Sequence, residues 1–138
     1  MILPDAFLDT NILLRHFLQD YPDQSPRCSS LVNDIAKGDR SVLLSETVIF
    51  EVVYVLEKQY RIPRRDISRE LLEFVDFPAV NMSGKRLLHD AFELYVTERG
   101  LSFADCYHAV FALKNGVPRI LTFDRRMGSI PGIERIEP

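Results

Sequence analysis

Short apolar runs alternating with stretches of helical periodicity constrain this chain most. Ala6-Phe7-Leu8, Ser41-Val42-Leu43-Leu44, Pro78-Ala79-Val80, Arg119-Ile120-Leu121-Thr122 and Glu134-Arg135-Ile136 read as brief strands. Thr10-Asn11 offers helix caps before Ile12, Leu13, Leu14 and Phe17, and Asp20 to Pro26 reads as a loop. A helix over Arg27 to Lys37 puts Cys28, Leu31, Val32 and Ile35 on one face and stops at Gly38. Ser45 caps a long helix through about Tyr60, and Pro63 opens another carrying Ile67, Leu71, Leu72, Phe74 and Val75. Ser83 caps a helix closed by Gly100, and Ser102 caps a last one that Gly116 and Pro118 end. This alternation predicts a single α/β domain over residues 1–138 with a mainly parallel sheet.

Four carboxylates sit where such strands end or inside an apolar helix: Asp9, Glu51, Asp105 and Asp124. Ligands of open α/β sheets bind at the carboxyl edge of the strands, so a single parallel sheet would gather these acids there. Like charges about 4 Å apart at an effective dielectric near 20 repel by roughly 4 kcal/mol per pair. A bound divalent cation is the usual compensation, and carboxylates suit magnesium or manganese better than zinc.

Each acid also has a structural explanation. Glu51 lies among Val48, Ile49, Phe50, Val52, Val53, Tyr54, Val55 and Leu56, a helix expected to be buried on most of its circumference. Its i−4 and i+4 neighbours are Thr47 and Val55, so no local cation pairs with it, and a distant hydrogen bond is the alternative to a site role. Ser102 and Asp105 have capping-box spacing. Asp9 can cap the helix beginning near Asn11, and Asp124 can be a turn residue paired with Arg125 or Arg126. His108 shares a helical face with Asp105, yet a lone histidine in an apolar helix is expected in the core, as is Cys106. Glu46 suits the first turn of its helix.

The whole-chain properties exclude several classes. With 138 residues, 46% of them apolar, the chain can bury a sizeable core without staples. No apolar run approaches the ~20 residues of a membrane span, and the amino terminus lacks a basic leader. Cys28 and Cys106 form no disulfide framework, so a cytoplasmic location is expected. A net charge of −3 speaks against a non-specific nucleic-acid binder but leaves local basic pairs such as Arg64-Arg65, Lys85-Arg86 and Arg125-Arg126 able to touch phosphates. There is no glycine-rich phosphate loop and no GxSxG motif.

Asp9-Thr10-Asn11 after an apolar strand, Glu51 within a long helix, Ser102-Phe103-Ala104-Asp105 before an alanine-bearing helix, and Thr122-Phe123-Asp124 together resemble the PIN-domain family. They resemble most closely its VapC-type toxin ribonucleases, over nearly the whole chain. The resemblance implies a sheet ordered 3-2-1-4-5, magnesium or manganese, hydrolysis of RNA phosphodiester bonds, a homodimer, and a cognate antitoxin. It implies that Asp9 and Asp105, with Glu51 and Asp124 more peripherally, hold the metal and carry catalysis. Thr10, Asn11 and Thr122 would support those acids. Two other readings compete. One is a catalytically silent PIN scaffold for RNA or protein. The other is a phospho-acceptor receiver domain, which would want paired acids after its first strand and a lysine where Arg125 stands. Nothing in the residues decides between RNA and DNA.

Overall fold

A computed structural model describes residues 2–138 as an α/β chain with five strands and six α-helices. They form two compact units, one running to Ser83 and the other from Gly84 to Pro138. The hydrogen-bonded strands make two ladders, not the one five-stranded sheet expected in the order 3-2-1-4-5. β1 (Ala6–Phe7), β2 (Val42–Leu43) and β3 (Val80–Asn81) form a parallel ladder with β2 in the middle. β4 (Arg119–Leu121) and β5 (Glu134–Ile136) form a second parallel pair. Strands of two or three residues offer few backbone bonds, so each ladder relies on the helices around it.

In the first unit, Leu8 N–H donates to the Leu43 carbonyl at 3.0 Å and Leu44 N–H to the Asn81 carbonyl at 2.9 Å, extending the ladder past the strand ends. Helix α1 (Thr10–Leu18) starts one residue earlier than expected, with Asp9 at the N-cap. Helix α2 (Gln24–Lys37) begins inside the expected loop. Pro26 is tolerated there because the first-turn N–H groups have no helical partner to lose. The buried Ser25 helps fix this start: its hydroxyl accepts the Tyr21 N–H at 3.1 Å, and its own N–H reaches the Tyr21 carbonyl at 2.8 Å. Gly38 ends α2 at φ 83°, a left-handed cap that favours glycine.

Helix α3 (Glu46–Tyr54) is capped by Ser45, whose side chain accepts the Thr47 N–H at 3.1 Å. It continues into a π-helical turn over Val55–Gln59. Helix α4 (Arg64–Val75) follows Pro63. Leu13, Ile35, Ile49, Val52, Leu71 and Val75 are fully buried.

The second unit is built on α5 (Lys85–Thr97) and α6 (Phe103–Lys114). The cap of α5 is Gly84 at φ 78°, not Ser83. Phe92, Tyr95 and Phe103 interlock, with ring centroids 4.4 Å apart for Phe92–Phe103 and 5.5 Å for Tyr95–Phe103. Phe92 and Tyr95 are fully buried, and so is Cys106, as expected of a core cysteine. His108 is exposed, against expectation, because the buried face of α6 runs through Phe103, Cys106, Tyr107 and Ala109. Among the described residues, no helix is long and apolar enough to cross a membrane.

His16 ties α1 to α2, with its Nδ1 2.8 Å from the Ser29 hydroxyl. Burial lowers its pKa from the ordinary value, outweighing the opposite pull of Glu70. The unfolded chain therefore binds a proton that the folded chain resists. The stability this contributes is present above the unfolded value near 6.5 and falls as pH drops through the folded value. The melting temperature should fall on acidification below about pH 6.5, and His16→Gln should flatten that part of the profile. Thermal melts of both proteins from pH 7.5 to 5 check this; parallel profiles would assign the acid sensitivity to other groups.

Candidate active site

Three of the four acids stand at helical N-termini. Asp9 is the N-cap of α1, but its side chain makes no capping hydrogen bond. The capping explanation for Asp9 therefore fails, and its exposed carboxylate is not spent on the helix.

Glu51 is exposed, which corrects the expectation of burial. The apolar face of α3 is Val48, Ile49, Val52 and Val53, while Thr47, Glu51 and Tyr54 form an exposed stripe at helical spacing. Glu51 accepts a hydrogen bond from the Thr10 hydroxyl, 3.3 Å from Oε2. Thr10 is itself buried at the first position of α1, beside Asp9. Thr10 thus links the second acid to the residue next to the first. Asn11 is exposed and borders a cleft of about 490 Å³ that Arg15, Arg27 and Arg40 also line.

In the second unit, Asp105 is a half-buried member of a complete capping box. Its N–H donates to the Ser102 hydroxyl at 3.1 Å, and its Oδ2 accepts the Ser102 N–H at 3.2 Å. The structural explanation of Asp105 is correct as far as it goes, but it occupies one oxygen only. Asp124 caps the 3-10 turn Arg125–Ser129. Oδ1 accepts the Arg126 N–H and Nε, both at 3.0 Å, and Oδ2 accepts Nη2 at 3.1 Å. The Arg126 hydrogen bonds hold the Asp124 carboxyl below the usual carboxylate range, against an opposing effect of burial. Thr122 supports this corner by accepting the Asp124 N–H at 3.0 Å.

The donors at these positions are carboxylate oxygens, the ligand chemistry of magnesium or manganese. Among the described residues, no three acidic, histidine or cysteine side chains form a group able to hold a metal ion. Magnesium does not require such a cage: it commonly takes one or two carboxylates and fills its shell with water and substrate phosphate. Asp9 and Glu51 fit that requirement, and Asp105 keeps one oxygen for it. Asp124 fits least, because both of its oxygens are engaged. Sequence reasoning missed the Asp124–Arg126 fork as a specific pair, since Arg125 and Arg126 are equivalent until the 3-10 turn orients them.

These features define an α/β protein with parallel strand ladders and, in each unit, two of the four acids. The chain belongs to the PIN-domain family, whose pattern matches residues 6–133, a span that includes all four acids. It is similar to a VapC ribonuclease of Aquifex aeolicus (strain VF5), 28% identical over 131 residues that cover 95% of either chain.

Ser102→Ala should lower stability by about 1 kcal/mol through loss of the N-cap bond. Asp105→Asn should cost less, because the amide oxygen still accepts the Ser102 N–H. Urea unfolding of the two variants checks the order; a larger loss for Asp105→Asn would show that its charge, not its capping bond, holds the helix start.

Proposed function

We propose that this protein is a magnesium- or manganese-dependent endoribonuclease, and the toxin of a toxin–antitoxin pair. The observation that carries the reading is Asp9: an exposed carboxylate at a helix start, not spent on capping, within a chain of the PIN-domain family. The similarity to a VapC ribonuclease supports RNA as substrate and a protein antitoxin as partner. Homodimerisation and a cytoplasmic setting are parts of the same proposal. So is a single site served by Asp9, Glu51, Asp105 and Asp124.

In this reading Asp9 and Asp105 would hold the cation, with Glu51 at its margin; Asp124, both of whose oxygens are engaged by Arg126, stands at the edge of the site. A divalent cation supplies there a lowered pKa for an attacking water and neutralisation of charge on the phosphate. The chain's own groups do the rest. The helix starts at α1 and α6 position the carboxylates of Asp9 and Asp105. The Thr10 hydroxyl fixes the rotamer of Glu51, so this long side chain loses less freedom on binding. Asn11 and Thr122 flank the acids and support them, Thr122 through its bond to the Asp124 N–H.

Asp9→Asn and Asp105→Asn should each reduce RNA cleavage below detection while the melting temperature changes little, and excess chelator should do the same to the unaltered protein. Glu51→Gln should leave metal-free stability within about 0.5 kcal/mol, as expected of an exposed residue. It should shrink the rise in melting temperature that magnesium produces. Cleavage assays on RNA and DNA oligonucleotides, paired with melts, decide this; cleavage that survives chelator and both aspartate changes would sink the metal mechanism.

Expression of the protein alone should arrest cell growth, Asp9→Asn should relieve the arrest, and a small acid-site-masking protein should copurify when its own gene is present. Mapping RNA 5′ ends after controlled expression would name the substrate. Unimpaired growth with an active enzyme would remove the toxin reading and leave the nuclease.

A further inference from the structure

We propose that Arg126 is a contact for a substrate phosphate, and that Asp124 is its positioning residue, not a metal ligand. The inference rests on the nuclease reading above and deepens it.

Asp124 grips Arg126 from one side only. Its two oxygens take the Nε and Nη2 edge of the guanidinium at 3.0 and 3.1 Å. Of the five N–H donors of an arginine, two are used in this way, leaving both on Nη1 and one on Nη2. One Nη1 N–H and the remaining Nη2 N–H form a second, two-donor edge of the same planar fork, the geometry that matches a phosphate. The Arg126 side chain is 64% exposed, whereas Asp124 is 28% exposed, so the anchor is tucked in and the donor faces water.

Two further ties fix the arginine. Its backbone N–H also bonds Asp124 Oδ1 at 3.0 Å. Its stem crosses Gly100, where an added Cβ would lie 3.4 Å from Arg126 Cδ. Gly100 belongs to the loop that leads into Ser102 and Asp105, so the stem runs past the start of α6. Asp105 lies near enough for its charge to favour the charged guanidinium, after the larger effect of Asp124. The arginine stem thus rests on the loop that leads to Asp105, an acid that the nuclease reading places on the metal.

Two other arginines of this unit are spent differently. Arg135 donates to Glu137 at 2.9 Å and to the Thr122 carbonyl at 3.1 Å from a half-buried position. Arg119 pairs with Glu134 across the β4–β5 ladder. An ordinary surface ion pair is worth little and is loosely held. The backbone tie, the two-point fork and the stem on Gly100 make this one an oriented donor.

The test uses the full chain carrying Asp9→Asn, so that RNA is bound without being cut. A labelled single-stranded oligoribonucleotide is titrated by fluorescence anisotropy at several salt concentrations, and manganese binding is measured by calorimetry in the otherwise unaltered protein. Arg126→Ala should weaken RNA binding about tenfold or more, the scale of a lost charge-assisted hydrogen-bond pair. It should also reduce the salt slope by about 0.7, the share of one phosphate on a single strand. Asp124→Asn should weaken RNA binding in the same direction, and the double variant should bind no worse than Arg126→Ala. Manganese affinity should stay within about twofold throughout. Arg126→Lys, which keeps charge and stem but not the fork, should bind RNA with intermediate affinity at an unchanged melting temperature; it carries the test if Arg126→Ala does not fold.

An unchanged RNA affinity and salt slope in Arg126→Ala would overturn the assignment while leaving the nuclease reading intact. So would a tenfold loss of manganese affinity in Asp124→Asn, which would make Asp124 a ligand. A protein that binds no RNA even with Arg126 and Asp124 in place would overturn the nuclease reading together with this inference.

Discussion

The anchoring of a helix start by a buried leucine is the constraint on which the site depends. Leu8 precedes Asp9, Leu44 precedes Ser45, and Leu101 precedes Ser102, and all three leucines are almost fully buried. The apolar side chain fixes where the backbone leaves the core, at roughly 2 kcal/mol of burial each. The next residue is then forced outward at a point where helical N–H groups lack partners. Polar side chains are favoured there, and acids gain a further few tenths to 1 kcal/mol from the helix dipole. Asp9 therefore stands exposed at its helix start, fixed by a burial it does not itself make, while Asp105 is half-buried and adds its own capping-box bond to Ser102. Asp124 departs from this pattern. It follows Phe123, which is 73% exposed, and it is held by Arg126 instead of by a buried predecessor.

The four acids form a series in how much of each carboxylate the protein keeps for itself. A carboxylate has about four lone-pair positions. Asp9 uses none for capping, Glu51 accepts from one hydroxyl, Asp105 gives one oxygen to a backbone N–H, and Asp124 accepts three donors. An exchangeable cation needs oxygens that the folded chain has not already satisfied. By that measure Asp9 is the acid most available to a cation and Asp124 the least. A single hydrogen bond from an uncharged donor yields readily to a divalent ion, whereas displacing a forked arginine requires breaking two bonds and separating an ion pair.

Much of this was legible in residue types and spacing. Ser45, Gly38 and the Ser102/Asp105 box identify helix ends because capping chemistry is local and does not depend on distant contacts. The parallel pairing of β1 with β2 and of β4 with β5 follows from strand–helix alternation. The exposure of Glu51 was not legible. Its neighbours Phe50 and Tyr54 look like core residues, yet Tyr54 is 61% exposed and shares the open stripe of α3 with Glu51. An aromatic residue counts toward a buried face in a sequence window whether or not anything covers it. The early start of α2 was hidden by Pro26, because a proline reads the same in a loop and in a first helical turn. Gly84 displaced Ser83 as a cap because only the backbone angle, not the side chain, distinguishes the two.

The overall charge of −3 gives a poor account of how such a protein would meet RNA, because most of the arginines near acids are already spent. Arg64 is bound to Glu57, Arg15 to Asp20, Arg119 to Glu134 and Arg135 to Glu137. What a phosphate backbone senses is the donors left over after these pairs form, within about a Debye length of 8–10 Å. A paired arginine is not equivalent to a neutral one: one edge is satisfied by the carboxylate and the opposite edge keeps its N–H groups and their direction. A fold can therefore be acidic in sum, keep its carboxylates for a cation, and still present an oriented guanidinium to the anion that the cation must share.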